Sequence, residues 1–148
     1  MEIVWQIKAF EALTVIELYA ILRLRSEVFV VEQNCVYPDL DGKDAQALHL
    51  FGTYKNEIVA YSRLFEPGIY FENASIGRVV VAEPYRKNQW GRDLMLQSIA
   101  AIQNHFGESQ ITISAQLYLK KFYESLGFVA FGKMYLEDDI PHIKMIKD

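Results

Sequence analysis

The sequence predicts a mixed α+β domain, one sheet with helices packed on it, formed by residues 1–148 as a single unit. Three observations carry this expectation. Segments of strand periodicity and helical periodicity follow one another in the order β, α, three strands, α, β, α, two strands. A chain of 148 residues fits one compact domain. Its composition, 51% hydrophobic and 23% charged, suits a filled core under a soluble surface, and no repeat, low-complexity stretch or linker divides it.

The elements follow in order. Ile3–Phe10 alternates apolar and polar residues as a half-buried strand does. Thr14 and Glu17 have the spacing of a capping box, and Leu18, Ile21, Leu22, Arg25 and Phe29 recur at helical spacing, so a helix through about Val30 is expected. Asn34–Asp44 holds Pro, Gly and three Asp and reads as a loop. Ala47–Tyr54 and Glu57–Phe65 form a hairpin about Lys55-Asn56. Pro67-Gly68 breaks the chain, and Ala74–Val81 is a third strand, apolar enough towards its end to be covered on both faces.

After Pro84 the period becomes helical, with Leu94, Met95, Ser98, Ile99, Ile102 and Phe106 on one face and Gly107 as the stop. Gln110–Ser114 is a short β-prone run. Leu119, Phe122, Tyr123 and Leu126 make a short amphipathic helix closed by Gly127. Phe128–Tyr135 and His142–Lys147 are the last strands, about the acidic turn Glu137-Asp138-Asp139. The crossover from Val81 to Ile111 should be right-handed.

Composition excludes several classes. Fifteen Lys and Arg against 19 Asp and Glu give a formal charge of −4, and no basic run is long enough to follow a nucleic acid backbone. Cys35 is the single cysteine, so no internal disulfide or cysteine metal cluster can form. The first residues alternate in polarity instead of forming a secretory leader, and no apolar run approaches the roughly 20 residues that span a bilayer. A reduced, cytoplasmic location is the expectation.

The segment richest in chemical information is Val79–Met95, VVVAEPYRKNQWGRDLM. A helix start leaves backbone N–H groups unpaired and carries partial positive charge, and Arg86, Lys87 and Arg92 add formal charge around it. The pattern suits one small anionic ligand, and it also fits an ordinary strand-to-helix connection. From its helical face alone, Tyr123 reads as a core aromatic beside Leu119, Phe122 and Leu126.

The run P-Y-R-x-x-x-x-G-R-x-L-M resembles motif A of the GNAT acetyltransferases, and LYLKKFYESLGF (residues 117–128) resembles their motif B. The segments LRSEVFVVEQNCVYPDLDGKD, ISAQLYLKKFYESLGFVAFG and YLEDDIPHIKM narrow the resemblance to the ElaA-like branch, from about Leu24 to the C-terminus. The resemblance implies a GNAT fold, with a central mixed, mostly antiparallel sheet flanked by helices. It also implies acetyl-CoA as co-substrate, N-acyl transfer to an amine, and a diphosphate site formed by Arg86, Lys87, Asn88, Gln89, Trp90, Gly91 and Arg92. Val79, Val80 and Val81 would line the pantetheine arm, and Tyr123 would protonate the departing thiolate. Gln89 stands where the family has its central glycine, and Lys87 replaces another common glycine.

Such chemistry needs a proton acceptor, since an aliphatic ammonium has a pKa near ~10.4, and a donor for the developing oxyanion, expected from a strand N–H near Val79–Val81. Glu32, in the connection after the first helix, is the leading candidate base, with His49 and His142 as others; each reads equally as a structural hydrogen-bonding group. No metal is expected, because the histidines lack ligand spacing. Cys35 reads as a packed thiol more readily than as a nucleophile. Two acidic regions, Glu32 with Asp39, Asp41 and Asp44, and Glu137 to Asp139, favour a cationic small-molecule or protein acceptor, or else serve as solvated loops. The resemblance leaves room for a homodimer. It also admits a module of this fold that holds acyl-CoA or a protein without turnover.

Overall fold

A computed structural model describes residues 2–148. Seven strands form one sheet in the order β1-β2-β3-β4-β5-β7-β6. They are β1 (Val4–Ala9), β2 (Leu48–Tyr54), β3 (Glu57–Phe65), β4 (Ala74–Val81), β5 (Ile111–Gln116), β6 (Val129–Glu137) and β7 (Ile140–Lys147). Every neighbouring pair is antiparallel except β4 with β5. That parallel pair requires a crossover, and helix α2 (Trp90–Phe106) supplies it.

Helix α1 (Val15–Arg25) begins at the expected capping box. Thr14 Oγ1 accepts from Glu17 N–H at 3.0 Å, and Glu17 Oε1 accepts from Thr14 N–H at 2.9 Å. The expected single helix through Val30 is in fact two pieces, since from Ser26 to Glu32 the turn widens to a π-helix. A hydrophobic pattern cannot distinguish i→i+5 from i→i+4 bonding over so few turns. Lys55 and Asn56 both take positive φ, 52° and 64°, as a two-residue hairpin turn requires. At the β6–β7 hairpin the turn is Asp138-Asp139 alone, with φ of 50° and 64°, and Glu137 ends β6 instead of joining the turn. The helix over the second motif is short: α3 spans Lys120–Glu124 after a single 3₁₀ turn at Leu117–Leu119.

The sheet is covered on both faces. On one face Leu94, Met95, Ala101 and Ile102 of α2 and Tyr123 of α3 pack on Ile76, Ile111, Ile113, Ala115, Ile143 and Met145. On the other, Ile21 and Leu24 of α1 with Val28 and Phe29 pack on Phe51, Tyr61 and Val80. Strands β2, β3 and β4 therefore read as nearly continuous apolar runs.

Two irregularities shape the centre. The β3–β4 register shifts by one residue between Tyr61↔Val80 and Arg63↔Gly77, and Arg78 in that bulge has φ 50°. Strand β4 then pairs with β5 only at Ala74↔Ile111 and Ser75↔Thr112. Beyond Ser75 the two strands separate, opening a cleft in the middle of the sheet.

Candidate active site

The cleft is the mouth of a cavity of about 820 Å³, lined by both strands, the π-helix, the start of α2, and α3. Backbone direction in β4 decides what it offers. Ala82 N–H donates to Val59 of β3 at 2.8 Å, so Val81, one residue earlier, points its N–H and C=O away from β3 and into the cleft. The Val81 carbonyl there accepts from Arg86 Nε at 3.0 Å. By the same alternation Val79 faces the cleft. Val80 lines the same cavity, but its backbone pairs with Tyr61 of β3 and its side chain is 4% exposed, so its N–H and C=O are not offered to the cleft.

The turn after β4 is a 3₁₀ segment, Glu83–Asn88, followed by Gln89 at φ 60° and then α2. Gln89 thus occupies a left-handed position that glycine fills without strain, the physical reason a glycine is common there. The first α2 bond runs from Asp93 N–H to Gln89 at 3.2 Å, which leaves the N–H groups of Trp90, Gly91 and Arg92 outside the helical ladder. Gly91 lines the cavity, and a Cβ built there would meet only Val81 Cγ2, at 3.9 Å. Trp90 takes no side-chain part, being buried against Tyr54 and Tyr85 at ring distances of 5.3 and 5.5 Å. Arg86, Lys87, Gln89 and Arg92 are exposed.

Arg86 and Glu32, separated by 54 residues, meet at 2.6 and 2.8 Å in a bidentate ion pair. The Arg86 hydrogen bonds and charge hold the Glu32 carboxyl below its ordinary value, against a smaller penalty from burial. Glu32 is therefore a weaker base here than an unpaired carboxylate.

Tyr123 is 6% exposed, lines the cavity, and among the described residues its hydroxyl has no hydrogen-bond partner. Burial pushes its phenol above the ordinary value, with Tyr118 adding to the effect, so at neutral pH it stays protonated and available as a donor.

The other candidates separate clearly. His49 is fully buried, with Nδ1 2.7 Å from the Tyr61 hydroxyl and Nε2 2.8 Å from the Asp44 carbonyl. Both nitrogens are engaged and burial lowers its pKa, so it is a neutral structural group. Cys35 points its thiol at the Asp138 carbonyl, 3.3 Å away, and burial together with Asp138 and Asp139 pushes the thiol up. A protonated, donating thiol is no nucleophile. His142 lines the cavity with Ser114 and Glu137, and Tyr135 stacks on its ring.

The acidic loop is not free to draw a cation. Asp39, Asp41 and Asp44 are matched by Arg25, Arg63 and Arg78, and Arg25 is fully buried. Arg63 grips both Asp41 oxygens at 2.8 Å, and Arg25 bridges Asp39 at 2.9 Å and Asp44 at 2.8 Å. Arg78 Nε lies 2.7 Å from Asp39 Oδ1, close enough for an ion pair but not in hydrogen-bonding alignment. The loop is tied down over the cleft and its charge is neutralised, so of the two readings of Asp39, Asp41 and Asp44 the pairing favours a structural role. The hint was present in Arg25, a guanidinium on the apolar face of α1 that only a buried acid could accommodate.

Among the described residues no group of three His, Cys, Asp or Glu is placed to hold a metal ion, and no helix is long and apolar enough to cross a membrane. Residues 20–148 match the acetyltransferase (GNAT) domain model. The chain is 40% identical to the protein ElaA of Escherichia coli strain K12 over 146 residues, covering 97% of this chain and 95% of that one. Its fold superposes on the crystal structure of an acyl-CoA N-acyltransferase from Pseudomonas aeruginosa with a TM-score of 0.93, at 40% identity and covering 99% and 100% of the two chains. The crystal structure of Escherichia coli ElaA gives the same TM-score, 0.93, at 39% identity and the same coverage, 99% and 100%. A cleft between parted strands, a helix start beside it, and these likenesses along nearly the whole length lead to one conclusion: the chain belongs to the GNAT acetyltransferase family, in its ElaA-like branch.

Proposed function

We propose that the protein transfers an acetyl group from acetyl-CoA to a primary amine of a small-molecule or protein acceptor, by direct attack of the amine on the thioester. The observation that carries this reading is the parting of β4 from β5 beyond Ser75, which exposes the backbone of Val79 and Val81 between an anion-ready helix start and the Tyr123 hydroxyl.

The residues present fit acetyl-CoA. The open side of Gly91 and the unpaired N–H groups at the start of α2 suit a diphosphate, with Arg86, Lys87 and Arg92 around them and Asn88 and Gln89 contributing backbone. The cleft-facing edge of Val79 and Val81 suits the amides of a pantetheine arm, and a strand N–H there is placed to stabilise an oxyanion. Acetyl-CoA would supply the activated carbonyl. Tyr123 donates to the departing sulfur, and Glu32 holds Arg86 until a diphosphate competes for it.

The test combines thermal shift with thiol release. At a hundredfold excess over Kd, acetyl-CoA should stabilise the protein by about 2.7 kcal/mol, a rise in Tm of roughly 5–10 °C for a chain of this size. Free thiol should then appear only when a primary amine is added. Absence of any stabilisation at millimolar acetyl-CoA rejects the reading.

A further inference from the structure

The end of the cavity on the α1 side of the sheet holds an acid–base pair that neither motif segment contains. Ser114, Gln116 and His142 alternate along β5 and β7 with Ile113, Ala115, Ile143 and Met145, which pack under α2. They therefore face the opposite side, where Gln33 reaches Gln116 at 3.4 Å and Cys35 reaches the Asp138 carbonyl at 3.3 Å. Gln116 pairs with His142 at the C-terminal end of β5, and the chain continues directly into the segment that carries Tyr123.

His142 is 6% exposed, and its Nδ1 lies 2.7 Å from the Ile140 carbonyl. A carbonyl only accepts, so Nδ1 carries the hydrogen and Nε2 is the basic nitrogen. Nε2 faces Glu137 Oε2 at 3.5 Å, and Tyr135 stacks on the imidazole with centroids 6.1 Å apart. Ser114 Oγ, bonded to the Tyr135 hydroxyl, also reaches Glu137 Oε1 at 3.3 Å. When Nε2 carries no proton, it and the Glu137 carboxylate turn lone pairs towards each other beside the cavity. A donor with several N–H bonds satisfies both at once, and a primary ammonium is such a donor.

We propose that the Glu137–His142 pair receives the acceptor's ammonium group and that His142 Nε2 takes its first proton; this rests on the N-acyl transfer reading. Glu137 holds the cation and His142 removes one proton, leaving the neutral amine to attack. The C–N bond forms and the C–S bond breaks. The thiolate takes its proton from Tyr123, which regains one from the second N–H of the amine, and His142 returns its proton to solvent. The ionisable groups around His142 are Glu137, Tyr135 and Asp138 on β6 and its turn, Lys144 on β7, and Cys35, which donates to the Asp138 carbonyl.

Three measurements decide it. His142→Gln should lower kcat/KM for the amine by about 10²-fold or more at pH 7, with activity recovering as pH rises towards the amine's own pKa of about 10.4. Glu137→Gln should raise the amine KM about tenfold with a smaller change in kcat, and both variants should bind acetyl-CoA within twofold of wild type. Both variants turning over within threefold of wild type, with an unchanged pH profile, overturn the proposal. The third measurement does not depend on turnover: the His142 Hε1 resonance of the wild-type protein, with CoA bound, is followed on adding n-butylamine or n-butanol. A shift with butylamine alone is expected, and no shift with butylamine overturns the proposal. If acetyl-CoA binds and no amine is acetylated, the transfer reading fails by itself, and this titration still decides whether the pair binds an ammonium.

Discussion

Arg86 joins Glu32 through two hydrogen bonds, at 2.6 and 2.8 Å, while its Nε holds the Val81 carbonyl at 3.0 Å. One guanidinium therefore ties the end of the π-helix, the end of β4 and the turn before α2 together at the place where a diphosphate would lie. Binding of acyl-CoA must draw Arg86 from Glu32, at least in part. Both side chains are more than a third exposed, so the pair itself is weak, within about 1 kcal/mol. Glu32→Gln should then tighten acetyl-CoA binding up to about fivefold, and Arg86→Ala should weaken it. Titration calorimetry on both variants checks the pair of signs; weaker binding in Glu32→Gln contradicts the competition.

Tyr123 offers a cleaner separation of binding from chemistry. Its hydroxyl has no partner among the described residues, so Tyr123→Phe removes only a donor aimed into the cavity. Turnover should fall by about 10²-fold or more, with the acetyl-CoA Kd and the Tm unchanged. Turnover at the wild-type rate would show that the thiolate leaves without this acid.

Gln89 sits at φ 60°, a conformation that costs a residue with a side chain roughly 1–2 kcal/mol relative to glycine. The greater freedom of glycine in the unfolded chain offsets about 0.4–1 kcal/mol of that. Gln89→Gly should therefore raise Tm by roughly 2 °C without loss of acetyl-CoA binding. Gln89→Val, with a branched Cβ, should lower both. Thermal melts with and without ligand read the two outcomes.

The Arg–Asp network makes stability depend on pH in one direction. Burial pushes the Asp41 and Asp44 carboxyls up, but their bonds to Arg63 and Arg25 outweigh it and hold both below the ordinary value. Groups with a lowered carboxyl pKa contribute stability that is present above their unfolded value of about 3.9 and lost as pH falls through the folded one. His49, kept neutral by burial, adds a loss that begins as pH drops below its unfolded value of about 6.5. Both act in the same sense but in different windows: the urea midpoint should begin to fall below about pH 6.5 through His49, and fall further below about pH 4 as the carboxylates take up protons. Asp44→Asn leaves buried Arg25 and Arg63 short of a partner and should cost about 3–5 kcal/mol at pH 7. A midpoint that does not fall further below about pH 4 is incompatible with the network as described.

Local periodicity carried most of the fold. The capping box at Thr14, the Lys55-Asn56 turn and the strand Ala74–Val81 all lie where side-chain pattern and turn chemistry place them. The motif segments likewise located the α2 start and Tyr123 within the cavity. What stayed hidden depends on contacts between distant residues. Glu32 and Arg86 are 54 positions apart, Arg25 and Asp44 are 19 apart, and no local pattern reports such pairings. The parting of β4 from β5 arises from a bulge at Arg78 and a pairing that stops after two residues, neither of which alters apolar spacing. His142 is legible as one of several candidate bases near a strand start; its pairing with Glu137 follows from the hairpin register that brings β6 beside β7.

The central claim is that acetyl transfer takes place in the cleft between β4 and β5, and a crystal structure with acetyl-CoA bound tests it most directly. The account predicts the diphosphate at the N-terminus of α2 with Arg86 turned from Glu32, the pantetheine along Val79 and Val81, and the thioester within hydrogen-bonding distance of the Tyr123 hydroxyl. A ligand bound elsewhere, or a thioester on the far side of the sheet from Tyr123, contradicts it.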